Sequence, residues 1–137
     1  MKKVFSLEID HKDNPRHVEL TQKLTLDQTR PTSGLAGRYG LYGSQEWWQN
    51  LKNGVLPQKI YEGVMVDIYF CGMNNESKSF TMKLDSGKNY TYTCVTNRRR
   101  NSKHYQIGRR ARVITFIEKL KNGCEHEFVW QIEIETT

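Results

Sequence analysis

Apolar and polar residues alternate through most of the second half of this sequence. From Val64 to Phe70 every second side chain is apolar, and these residues fall on one face of an extended strand over residues 60–71. The other face also carries tyrosine and methionine. The pattern therefore predicts a long bent strand shared between two sheets, with Gly63 as the candidate for the bend.

A β-hairpin is predicted over residues 79–94. The chain reverses at Asp85-Ser86-Gly87, a three-residue loop with glycine in the left-handed position. Pairing Leu84 with Lys88 sets the register of the two strands. This register places Phe80, Met82, Tyr90 and Tyr92 on an apolar face, and Ser79, Thr81, Lys83, Asn89, Thr91 and Thr93 on a polar one.

A second hairpin is predicted over residues 111–135, with its turn at Asn122-Gly123, a strong hairpin signal. Pairing Lys121 with Cys124 gives an inward face of Ala111, Val113, Thr115, Ile117, Phe128, Trp130, Ile132 and Ile134. On the other face Arg112 meets Glu133 and Arg110 meets Glu135. The same register sets Glu118 opposite Glu127, which is unfavourable unless a bulge or nearby lysines relieve it.

The N-terminal 30 residues favour a third hairpin. Residues 5–9 and 18–26 alternate in polarity, and Asn14-Pro15 between them is a turn signal. A short helix that starts at Pro15, with Asn14 as its cap, is the alternative.

One short helix is predicted over residues 44–53. Ser44 is a typical N-cap residue, and Gly54 ends the helix. Adjacent residues of a helix point about 100° apart, so one flat surface cannot bury Trp47 and Trp48 equally. We therefore expect this helix to pack through one tryptophan, with the other ring partly exposed.

The order of long strand, hairpin, connection and second hairpin resembles an OB-fold barrel. The resemblance implies a small five-stranded OB-like barrel over residues 58–137. Together with the N-terminal hairpin (1–30) and the one short helix (44–53), the expected fold is mainly β. A single domain is expected for 137 residues. The phrase "GRYGLYGSQEWW" resembles uncharacterised bacterial proteins, a likeness that carries no function.

Positive charge is concentrated in one part of the chain. The net charge is +6, and residues 98–112 alone contribute +7, which leaves −1 on all other residues. We call residues 96–110 the basic loop. The predicted hairpin gives Arg110 and Arg112 carboxylate partners, so the remaining cations of the segment are the candidates for binding a partner.

The sequence shows no catalytic or cofactor motif. Cys124 and His126 share a strand face, and Glu118 could share a proton with Glu127, but both pairs lie at a sheet end where water is not excluded. The glycine-rich run 34–43 lacks the lysine of a phosphate-binding loop. The three cysteines form no CxxC pair, so neither a zinc site nor a disulfide framework is indicated. No apolar stretch could span a membrane, and a reduced, cytoplasmic protein is expected.

The predicted function is a non-catalytic binding module that presents the basic loop to an acidic macromolecular partner. The alternative is a nucleic-acid-binding OB-like protein that uses the same loop. That alternative is weakened because Phe80, Tyr90 and Tyr92, the aromatic residues of the hairpin predicted over residues 79–94, point inward, away from any base. The candidate binding residues are Arg98, Arg99, Arg100, Lys103, His104, Tyr105, Arg109 and Trp48.

Overall fold

The computed structural model describes residues 1–73 and 77–136. In this part of the chain, six β-strands, three α-helices and one 3₁₀ helix are formed. In chain order they are β1 (Lys2–Ser6), α1 (Leu7–Asp13), α2 (Pro15–Leu26), α3 (Gln45–Lys52), β2 (Gln58–Cys71), β3 (Ser77–Leu84), β4 (Asn89–Thr93), the 3₁₀ helix (Arg99–His104), β5 (Arg110–Lys119) and β6 (Glu125–Ile134).

The six strands form one antiparallel sheet in the order β1-β6-β5-β2-β3-β4, which confirms the mainly β class. The sheet is not closed, so the expected barrel closure is corrected. Asn97 offers a physical reason, because it occupies the outer edge of β1. Its backbone N–H donates to Val4 O, its side-chain oxygen accepts from Ser6 N at 2.6 Å, and its amide donates to Ser6 O. The resemblance to OB-folds stays a prediction.

The chain divides into two compact units, each with its own core. The first unit comprises residues 1–7, 60–114 and 130–136, and the second unit comprises residues 8–59 and 115–129. The largest fully buried side chains of the first unit are Val4, Met65, Phe80, Met82, Val113, Ile132 and Ile134; those of the second are Trp47, Leu51, Leu56, Phe116 and Glu118. The single domain stays a prediction. Residues 74–76 and 137 of the predicted 58–137 region lie outside the described residues.

The β3–β4 hairpin has the predicted register. Met82 pairs with Tyr90 and Phe80 with Tyr92, and Leu84 N donates to Lys88 O at 2.8 Å. The bend in β2 is displaced from its predicted position, since the register with β3 shifts between residues 65 and 67. Gly63 instead allows close approach, because a Cβ there would lie 2.1 Å from the carbonyl oxygen of residue 83.

The turn between β5 and β6 differs from its prediction by one residue. Leu120 N donates to Cys124 O at 2.8 Å, and Gly123 adopts φ +89°. The loop therefore has three residues, with glycine in the left-handed position, and Lys121 does not pair with Cys124.

This shift explains the correction to the predicted inward face. Burial alternates along β5 as far as Thr115, but Thr115 and Phe116 are both buried, and the alternation then continues in the opposite phase. Ala111, Val113, Thr115, Ile132 and Ile134 are buried as predicted, whereas Ile117, Phe128 and Trp130 are only partly so. Glu118 does not form a carboxylate pair with Glu127. Glu118 accepts from Trp47 Nε1 at 2.5 Å, and Glu127 accepts from Thr115 Oγ1 at 2.6 Å.

The predicted N-terminal hairpin is wrong, because α1 and α2 occupy most of residues 7–26. Pro15 stands at the start of α2, as in the alternative prediction. The partly buried stripe of α2 follows helical spacing and consists of Val18, Thr21, Gln22, Leu24 and Thr25. Leu20 and Leu26, which suggested a strand, are 48% and 65% exposed. Three of the five inward residues of α2 are therefore polar, and one of them, Gln22, donates to Tyr42 O at 2.8 Å.

The glycine-rich run 34–43 lies against α2. A Cβ at Gly34 would lie 2.7 Å from Leu24 Cγ, and a Cβ at Gly43 would lie 2.8 Å from Val18 Cγ1. Both glycines have positive φ, so the loop needs them for its turns as well as for its close approach to α2. This segment positions α3, which starts at the predicted N-cap Ser44.

Candidate functional site

The basic loop is ordered by its own hydrogen bonds. Within the 3₁₀ helix, Asn101 is buried and its N–H donates to Arg98 O at 2.9 Å. Ser102 Oγ donates to Arg99 O at 2.8 Å, and Gln106 Nε2 donates to Lys103 O at 2.8 Å. The loop is therefore a folded turn in which the backbone carbonyls of residues 98, 99 and 103 accept hydrogen bonds.

Tyr105 anchors the basic loop to the core of the first unit. Its side chain is only 4% exposed, its hydroxyl donates to Val95 O at 2.6 Å, and its ring centroid lies 5.4 Å from that of Phe80. Burial raises the pKa of Tyr105. The residue is therefore an internal support of the loop, and its ring is not available to stack on a partner.

A tight turn follows at residues 106–109. Arg109 N donates to Gln106 O at 3.3 Å, and Gly108 has φ +95°. Gly108 N donates to Met65 O at 2.8 Å, while Met65 N donates to Arg109 O at 2.9 Å. Two residues thus face one residue of β2, which is the pattern of a glycine β-bulge. The bulge fixes the backbone on both sides of the turn.

The cations of the basic loop differ in their partners. Arg99, Arg100 and Lys103 are exposed, and they make no ion pair with any residue that the structure describes. Arg98 donates to Asn97 O at 3.0 Å, and Arg109 lies 3.3 Å from His104 Nδ1.

The two arginines at the start of β5 have carboxylate partners. Arg112 contacts Glu62 at 3.2 Å and the predicted partner Glu133 at 3.6 Å. Arg110 forms its ion pair at 2.7 Å with Asp85 instead of the predicted Glu135. The Glu135 N–H donates to Arg110 O, so the predicted strand register holds there even though the side chain turns to another carboxylate.

His104 lies among these cations. Desolvation lowers its pKa, and the charges of Lys103, Arg109 and Lys2 lower it further. A neutral imidazole can accept a hydrogen bond from Arg109, in agreement with their separation. His104 therefore adds a polar group to the basic loop, and desolvation and the neighbouring cations disfavour its charged form.

An exposed isoleucine lies in the same loop. Ile107 occupies the turn before Gly108 and is 63% exposed, and Val66, which follows the Met65 of the bulge, is 46% exposed. We did not select Ile107 from the sequence. The only signal was an apolar β-branched residue in a turn among cations, where polar residues are usual.

Trp48 belongs to the second unit. Trp47 is fully buried, whereas Trp48 is partly exposed, as the helical geometry predicted. Trp48 lines an open pocket of about 530 Å³ whose other lining residues are Glu8, His11, Lys12, Pro15, Val18, Gly43, Gln45 and Lys52. The His11 ring lies between Tyr42 and Trp48, with centroids at 4.8 and 5.1 Å. Burial lowers the pKa of His11, and its ring nitrogens have no hydrogen-bond partner among the described residues.

The sequence was compared with known protein families. A family model described as "Immunity protein RhsI2" matches residues 1–134, which is nearly the whole chain. The chain belongs to this family. No curated protein matches the sequence.

Immunity proteins protect a cell by binding a toxin. Membership of the RhsI2 family therefore indicates a non-catalytic, protein-binding role with a toxin as the partner. This agrees with the predicted binding module, whereas the alternative of nucleic-acid binding gains no support.

Three further observations concern the described residues. Cys124 and His126 are exposed near a hairpin turn. No three His, Cys, Asp or Glu side chains within residues 1–73 and 77–136 converge as metal ligands. In the same part of the chain, every helix is too short or too polar to cross a bilayer.

Proposed function

We propose that this RhsI2-family immunity protein recognises its toxin through the basic loop, and that the loop binds an acidic surface of the toxin. The observation that carries this proposal is the set of exposed cations at Arg99, Arg100 and Lys103, held on an anchored turn without carboxylate partners among the described residues. A toxin surface rich in Asp and Glu would supply the missing partners.

Two physical effects favour this surface. Clustered positive charge accelerates the encounter with an oppositely charged protein and excludes partners of like charge. The anchors at Asn101 and Tyr105 hold the backbone in place before binding, so less conformational entropy is lost when the complex forms.

The first experiment identifies the toxin and tests the loop. Candidate toxins are expressed in cells with and without this protein, and the toxin whose killing is suppressed is taken forward for binding measurements. We expect the Arg99→Glu/Arg100→Glu variant to lose protection and to bind that toxin at least about 100-fold more weakly.

A control with the same change in charge is available in the β3–β4 hairpin. Lys83 and Lys88 are also exposed cations of the first unit, and their reversal to glutamate should change affinity by less than about threefold. Equal losses for the two double variants would mean that only net charge matters. Unchanged binding by the arginine variant would refute the proposal.

Trp48 is proposed as a second contact, because its partly exposed ring lines the open pocket of the second unit. Trp48→Ala should weaken binding to the same toxin without changing the dependence of affinity on salt. Unchanged affinity would remove Trp48 from the proposed interface.

A further inference from the structure

We infer that Ile107 is the apolar anchor of the toxin contact, and that it enters an apolar recess of the toxin bordered by carboxylates. This inference rests on the proposed function, and it adds the shape and chemistry of the partner surface. It starts from the position of Ile107, which is 63% exposed within the loop that carries Arg99, Arg100 and Lys103.

The local structure gives no reason for isoleucine at this position. Ile107 occupies the first central position of the Gln106–Arg109 turn, where proline and polar residues are favoured. The turn itself needs only Gly108, whose φ of +95° is unfavourable for other residues. The isoleucine side chain thus contributes little to folding and leaves apolar surface in water.

The turn presents Ile107 in a fixed position. Gly108 and Arg109 are both hydrogen-bonded to Met65, and Tyr105 on the other side is buried. A β-branched side chain also has few accessible rotamers, so ordering it in a complex costs little entropy. A rigid apolar side chain on a rigid turn has the properties of an interface anchor.

A second exposed apolar residue follows the bulge in β2. Val66 comes directly after Met65 and is 46% exposed. In the sequence, Ile107 stands between two cations of the basic loop, Lys103 and Arg109. The complement of this loop on the toxin is therefore a small apolar recess with acidic residues at its rim.

The two parts of the surface should act on different rate constants. Long-range attraction from the cations governs mainly association and is screened by salt. An apolar side chain inside a desolvated recess governs mainly dissociation and is little affected by salt.

The experiment compares Ile107→Ser with Ile60→Ser in binding kinetics against the toxin neutralised in the growth assay. Ile60 is the matched control, because it is 64% exposed and also belongs to the first unit. We expect Ile107→Ser to raise the dissociation rate constant at least about tenfold, with the same salt dependence as the unchanged protein. Ile60→Ser should stay within about twofold.

Ile107→Val and Ile107→Asn guard against a folding artefact. The valine variant keeps most of the apolar contact and should dissociate about as slowly as the unchanged protein. Asparagine is well suited to turns, but the asparagine variant should dissociate as fast as the serine variant. Melting temperatures of all variants are measured alongside.

The outcomes separate this inference from the proposed function. If the arginine reversal abolishes binding while the dissociation rate constant of Ile107→Ser stays within about twofold, the basic loop is the interface but Ile107 is not its anchor. If the Ile107→Ser and Ile60→Ser variants dissociate equally fast, Ile107 is again not the anchor. If the arginine reversal has no effect, the proposed function itself fails.

Discussion

Lys121 should be one of the strongest polar contributors to the stability of the second unit. Its ammonium group donates to Leu24 O at 2.5 Å, and to Asp27 O and Arg30 O at 3.1 Å each. These carbonyls lie at the C-terminal end of α2 and in the turn that follows. We predict that Lys121→Met, which keeps most of the aliphatic stem, destabilises the protein substantially.

The magnitude follows from the charge and the partial exposure. A hydrogen bond to a charged group contributes about 1.5–3 kcal/mol net, and the cation also interacts with the helix dipole. In the variant, water can bind to the three carbonyls, so only one charged hydrogen bond is counted as lost. The free energy of unfolding should therefore fall by about 2 kcal/mol. Urea unfolding should then show a midpoint lower by about 1 M.

Lys119→Met is the matched control, since Lys119 lies on the same hairpin and loses the same charge. Its ammonium is 3.9 Å from Glu125, and both side chains are at least one-third exposed, so its removal should cost less than about 0.5 kcal/mol. A Lys121→Met loss no larger than that of Lys119→Met would refute the reasoning.

Three further predictions concern stability. Gly43→Ala should cost about 1–2 kcal/mol more than Gly54→Ala in urea unfolding, because both have φ near +76° but only a Cβ at Gly43 would clash with Val18; equal costs would count against it. Tyr105→Phe should lower stability by about 1 kcal/mol, since it removes the 2.6 Å bond to Val95 O, and it should speed amide exchange across the basic loop; exchange that does not change would contradict the anchoring role. Burial raises the pKa of Glu118 above 4.5, so the folded state holds the carboxyl proton more tightly than the unfolded state does. The contribution of Glu118 to stability therefore falls as pH rises through the folded-state pKa, and the stability of Glu118→Gln relative to the unchanged protein should rise with pH above about 4.5. A pH-independent difference would be inconsistent with this.

Much of the β structure could be predicted because it depends on neighbours in the sequence. The turn at Asp85-Ser86-Gly87 sets the register of β3 and β4 through local backbone geometry, and Ser44 defines the start of α3 in the same way. The prediction for the N-terminal region was wrong because its leucines are spaced almost equally well for a strand and for a helix. Packing of α2 against the glycine-rich run decided between them.

The candidate site was predicted in part. Its charge was evident from the sequence, and the family match agrees with a protein-binding role. The inward position of Tyr105 could not be read from the pattern, because it depends on Val95 and Phe80. The exposure of Ile107 likewise depends on the bulge at Met65, which is a contact across about 43 residues of sequence.

The amino-acid sequence alone determined the positive charge of the basic loop, because charge depends only on residue type. It also determined the β3–β4 hairpin and the short tryptophan helix, because each arises from interactions between residues a few positions apart. Only the tertiary structure decided that residues 7–26 form helices, that the sheet stays open, and that Tyr105 anchors the basic loop to the core. These features depend on contacts between distant segments, whose free energies are comparable with the small differences in local preference that they override.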